Sequence, residues 1–176
     1  MNRRNFLKTS AIGIACTGVA TTIAWQLIPV ANEPLSISKS LEKLVIVEKI
    51  LPDMTGEWNL AQTLMHCAQS VDYSIDGYPE HKSDFFKASA GAIAFHAFKS
   101  KGQMKHNLSE PIPGAPQISK NQNVEAAIEA FRLSLIRFQS HNGPLLPHFA
   151  YGKLSKSDYE KAHAMHLNNH MLEMLL

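Results

Sequence analysis

Ser155-Lys156-Ser157-Asp158-Tyr159-Glu160-Lys161-Ala162-His163-Ala164-Met165-His166-Leu167-Asn168-Asn169-His170 is the stretch whose reading decides the fold. Ser155 and Asp158 have capping-box spacing, which opens a helix expected to run to the C-terminus. At about 100° per residue, His163, His166 and His170 fall on one face of that helix. Side chains four apart sit about 5–6 Å apart at Cβ. His166 and His170 can therefore both reach one ion through metal–nitrogen bonds of about 2 Å.

Upstream, the same helical period recurs. Ser38 to Leu51 carries Leu41, Leu44, Val45, Val47, Ile50 and Leu51 and is stopped by Pro52. A second helix is expected from Thr55-Gly56-Glu57 to about Asp76, with Leu60, Leu64, Cys67, Ala68 and Val71 as its apolar stripe. Ser83 to Lys99 is a third candidate, with Phe85, Phe86, Ile93, Phe95 and Phe98, weakened by Gly91. Ser100 to Ser119 holds three prolines and two glycines and predicts a long ordered loop or crossover. Ser119 to Gln122 has capping-box spacing for a helix through Ile128, Phe131, Leu135 and Phe138, ended at Asn142-Gly143-Pro144. No segment alternates with period two. The fold class is all-α, as a four-helix bundle with a long crossover connection and one extra helix.

Composition sets the frame. The 176 residues fit one domain plus an N-terminal segment, with 45% hydrophobic and 18% charged residues. A net charge of +2 gives no nucleic-acid footprint. The two cysteines are Cys16 and Cys67, so the folded part holds one thiol and no internal disulfide.

Residues 1–31 read as an address. Arg3-Arg4-Asn5-Phe6-Leu7-Lys8 precedes an apolar run from Ala11 to Val30, the layout of an export signal. Arg3, Arg4, Phe6, Leu7 and Lys8 resemble the twin-arginine (Tat) motif, with Asn2 where serine or threonine is usual. No clean Ala-x-Ala precedes Asn32, and the run is long enough to span a bilayer. The expectation is Tat export to the periplasm, with an uncleaved N-terminus able to tether the protein to the inner membrane. Residues 32–37 are a linker, and 38–176 are the bundle.

Two imidazoles leave a metal underligated, because catalytic zinc-type sites take three protein ligands and keep a position open. His66 is the best further donor. It shares a face with Asn59, Gln62, Gln69 and Tyr73, which either is simply solvated or lines a polar pocket. Trp58-Asn59-Leu60-Ala61-Gln62-Thr63-Leu64-Met65-His66, then Gly77-Tyr78-Pro79, then His148-Phe149-Ala150-Tyr151-Gly152-Lys153-Leu154-Ser155, then His166-x-x-x-His170 resembles the DinB-like superfamily. Within it the chain is closest to the domain-of-unknown-function 1569 branch. The resemblance covers nearly all of residues 38–176. It implies a four-helix bundle holding a divalent metal on three histidines, carried over here to His66, His166 and His170. Glu173 stands where glutamine is expected, as a carboxylate beside the ligands. His163 is an alternate ligand, a supporting group or a proton relay. His81, His96, His106, His141 and His148 read as structural or exposed, with the stretch around His148 closing the pocket. Cys67 reads as a small core residue.

The metal is one that imidazole suits: zinc, nickel, iron or copper. DinB-like relatives include thiol-dependent transferases and isomerases, so one expectation is a metal-dependent transferase or hydrolase. No general base stands beside the histidines in the sequence unless Asp72, Asp76 or Glu173 folds back. An oxidising compartment is also a poor place for small thiols. The other expectation is a non-catalytic metal- or ligand-binding helical module on the periplasmic side. Expected partners are the Tat machinery and a small-molecule ligand of unknown identity. A homodimer is compatible with the chain, and the catalytic residues and substrate are not written in it.

Overall fold

The computed structural model describes residues 34–175, and residues 1–31, whose sequence resembles an export signal, lie outside them. The described residues are all-α. Helices α1 (Ile37–Ile50), α2 (Leu60–Asp76), α3 (Ala92–Lys101), α4 (Val124–Ser140) and α5 (Lys156–Met171) carry the fold. A short turn at Asp84–Phe86 and a π-helical stretch at Lys87–Gly91 lead into α3. No strand occurs among the described residues, and no helix among them is long and apolar enough to cross a membrane.

Each helix begins and ends for a local reason. Ser36 Oγ accepts from Lys39 N at 3.2 Å to cap α1. Leu51 closes it in the left-handed region (φ 47°), just before Pro52. The second helix starts at Leu60, the first residue of its apolar stripe and later than the expected Thr55-Gly56-Glu57, because Asn59 and Gln62 form a reciprocal capping box. Gln62 N donates to Asn59 Oδ1 at 2.9 Å and Asn59 N to Gln62 Oε1 at 3.3 Å. That pair is the capping box the sequence reading missed. Ser119 caps only a turn, accepting from Asn121 N, and Asn123 caps α4 instead. The same helix ends on His141 in extended conformation, without a left-handed glycine. Ser155 does cap α5, accepting from Asp158 N at 3.1 Å.

Packing follows the apolar stripes. Helix α2 packs chiefly on α4 and also on α5, while α1 packs on α4 and α5. Leu64, Val71, Phe131, Leu135, Phe138 and Tyr159 form the centre of this core. A fully buried side chain of this size contributes about 1.5–3 kcal/mol. Val45, Ile50 and Leu51 are exposed, so α1 buries a narrower face through Ile37, Leu44 and Val47.

Helix α5 lies between two apolar clusters. Tyr159 and Leu167 join the main core, whereas Ala162 and Met165 pack with Phe95 and Met104 in a second one. Eight of its sixteen residues are buried, including His163 and His170. Its end is tied down: Leu175 N donates to Asp53 O at 3.0 Å and Thr55 N to Glu173 O at 2.8 Å. The helix itself stops at Met171, short of the C-terminus.

The connection from Gly102 to Asn123 has neither helix nor strand, as its prolines and glycines imply. Met104 and Ile112 are buried and anchor it. Gly91 permits a close approach, because a Cβ there would run into the Ala150 carbonyl. This contact brings the α3 segment against the 148–152 turn.

Candidate metal centre

His66 projects from α2, and His166 and His170 from α5; helical spacing on α5 and direct packing of α2 against it bring the three together. One ligand nitrogen from each lies within 4.8 Å of the others. Nε2 of His166 is 3.1 Å from Nε2 of His66 and 3.1 Å from Nε2 of His170. Two nitrogens held about 2 Å from one ion end up about 3 Å apart. Each neutral imidazole Nε2 carries either one hydrogen or one lone pair. His166 Nε2 therefore meets both neighbours in one sense only, and three lone pairs turned toward one cation satisfy all three. The donor set fits a divalent metal.

Burial keeps these rings uncharged. His66 and His170 are 3% and 0% exposed. Desolvation, followed by the charge of neighbouring His106, pushes His66 down to about 4. Desolvation, then His66 and His106, takes His170 down to about 2. His166 is held well below its ordinary value by burial and by the surrounding imidazoles. Neutral imidazole is the form that ligates metal.

Ring packing orients the cluster. Trp58, just before α2, stands edge-on to His66 at 5.0 Å between centroids and lies nearly parallel to His170 at 6.5 Å. Nδ1 of His66 and of His170 are buried and have no hydrogen-bond partner among the described residues. Packing against Trp58 fixes these two rings where a hydrogen bond at Nδ1 usually does.

A family model described as "Protein of unknown function (DUF1569)" matches residues 38–175. The chain belongs to the DUF1569 family. No curated protein and no solved structure matches it. The DUF1569 span contains all three histidines, Trp58 and the connection after α3.

Other residues singled out in the sequence fall in different places. The His163 ring stacks on Tyr159 (5.5 Å) and meets Phe138 edge-on (5.0 Å), and burial takes it down to about 3. The Glu173 carboxylate lies over the backbone of Gly56. Asp72 and Asp76 do not fold back toward the histidines. Both pair with Arg137 across the α2–α4 surface, at 3.2 and 2.6 Å. Cys67 is buried in the main core. His148 accepts from the backbone N–H of Ala150 and Tyr151 through Nδ1, which shapes the 148–152 turn.

A cavity of about 360 Å³ opens beside the cluster. His66, His106 and His166 stand on its wall, with Phe86, Phe98 and Ile112 among the apolar lining. Its charged groups are Lys82, Lys105 and Glu110. The 148–151 residues also line it, as the sequence reading expected of that stretch. His106 is the site residue that sequence reasoning missed. It comes from the connection after α3, where no periodicity signals which way a side chain points.

Proposed function

We propose that this DUF1569 protein is a DinB-like four-helix bundle that holds one divalent metal on His66, His166 and His170. The observation that carries this is the convergence of three Nε2 atoms from two helices at 3.1 Å contacts, on two buried rings and one half-buried ring. The mutual packing of α1, α2, α4 and α5 supports the bundle. A divalent metal on these nitrogens would supply Lewis acidity at the cavity wall. Zinc, nickel, iron and copper are all metals that neutral imidazole suits.

The adjoining cavity favours a metal-dependent transferase or hydrolase over a non-catalytic binding module. Its size lies in the range of small-molecule pockets. His163, which could have enclosed the metal, packs on Phe138 and Tyr159 instead. The chain's own groups would then bind and orient a small ligand with an apolar body. Lys82, Lys105 and Glu110 would offer charge to it, and Trp58 packs edge-on against His66.

Arg3, Arg4, Phe6, Leu7 and Lys8 support export by the Tat route, toward the periplasmic face of the inner membrane. Equilibrium dialysis against Zn(II) or Ni(II) tests the metal site. His66→Ala, His166→Ala and His170→Ala should each lose nearly all binding; retention by His66→Ala would remove the three-histidine arrangement. Arg3→Lys with Arg4→Lys should hold the protein in the cytoplasm, and normal export of that variant would refute the Tat assignment.

A further inference from the structure

We propose that His106 is a fourth, loop-borne ligand that closes the metal site and ties the cavity wall to metal occupancy. The proposal rests on the three-histidine reading and extends it. His106 lies on the Gly102–Asn123 connection, whereas the other three imidazoles lie on helices. Its ring centroid is 4.9 Å from that of His166 and 5.2 Å from that of His170. The three helix-borne rings are spaced 4.9–5.1 Å from one another. His106 thus meets two of the three rings at the spacing the cluster itself has.

Its tautomer is set for ligation. Nδ1–H donates to the Asn107 carbonyl at 2.8 Å, which leaves the lone pair on Nε2. That Nε2 is buried and has no hydrogen-bond partner among the described residues. A metal-bound histidine shows the same division, one nitrogen on a backbone carbonyl and the other on the ion. Burying an unpaired acceptor is unfavourable, and a cation beside His166 and His170 is the partner this atom lacks. His106 stands outside the set of three nitrogens that lie within 4.8 Å of one another. Its ligation therefore draws the connection inward.

The consequence concerns the cavity. Met104, Lys105, Asn107, Glu110 and Ile112 all line it and belong to the same connection as His106. A metal that holds His106 holds this wall, and an incoming ligand that displaces His106 frees it. The helix-borne histidines make the permanent set; His106 is the replaceable member.

Co(II) is the probe for the full chain, read by its visible absorption and by amide exchange of residues 102–123. Wild type should bind about one ion, and the ion should slow exchange in the connection. In His106→Ala the affinity for Co(II) should fall at least 10-fold, with an altered spectrum and no metal-dependent slowing of exchange. His106→Gln, which keeps a polar side chain of similar reach, should behave the same way and guards against a packing defect in the alanine variant. Equal affinity, spectrum and protection in either folded variant would overturn the proposal and leave the three-histidine site standing. Absence of Co(II) binding in wild type would overturn both.

Discussion

Acid should destabilise the protein well above the pH at which carboxylates protonate, and two histidines outside the metal cluster set the least size of the effect. His148 and His163 are 8% and 4% exposed. Desolvation, with the charges of His163 and His81 added for His148, takes each down to about 3. In the unfolded chain a histidine titrates near 6.5. Between about pH 6.5 and 3 the unfolded state binds more protons, so stability is full above 6.5 and falls as pH drops. At pH 5 the loss is about 2 kcal/mol for each histidine, or about 4 kcal/mol for the pair relative to pH 7.5. His66 and His170 add to it when metal is removed. Urea unfolding in EDTA at pH 7.5 and 5.0 measures it. With a slope of about 2 kcal/mol per molar urea, the midpoint should fall by at least about 2 M. His163→Leu should shrink that shift by about 1 M. A midpoint that moves by less than about 0.5 M, or a stability maximum near pH 5, would refute the reasoning.

Three further outcomes follow from the packing. Asn59→Ala removes the capping box of α2 and should cost about 1 kcal/mol, read as a lowered Tm; an unchanged Tm would show that α2 does not depend on its cap. Gly91→Ala drives a methyl into the Ala150 carbonyl and should cost about 1–3 kcal/mol; a variant as stable as wild type would deny the close approach of the α3 segment to the 148–152 turn. Cys67 is buried and its thiol is pushed well up by desolvation. A thiol reagent should label it only after denaturation, and rapid labelling of the native protein would contradict its place in the core.

Helical periodicity made most of the fold legible, because α2 and α4 bury unbroken stripes. Leu60, Leu64, Cys67, Ala68 and Val71 are all buried, as are Ile128, Phe131, Leu135 and Phe138. Periodicity said less about α1 and the α3 segment, where Ile50, Phe85 and Ile93 are apolar yet exposed. Helix starts were harder, because several polar residues near each start can cap and tertiary packing chooses among them. Asn59 prevails over Thr55, and Asn123 over Ser119. The histidine pair on α5 could be seen from spacing alone. His66 needed a family resemblance, since a polar helical face looks the same whether it meets water or a cavity. His106 could not be found in the sequence, because a chain without periodicity does not reveal which side it turns inward.

The most direct measurement is the metal content of the protein isolated after its own export, with no metal added during purification. The account predicts about one divalent ion per chain, and none in His66→Ala prepared alongside. A wild-type protein that carries no divalent ion, and takes up none from Zn(II), Ni(II) or Fe(II), would contradict it.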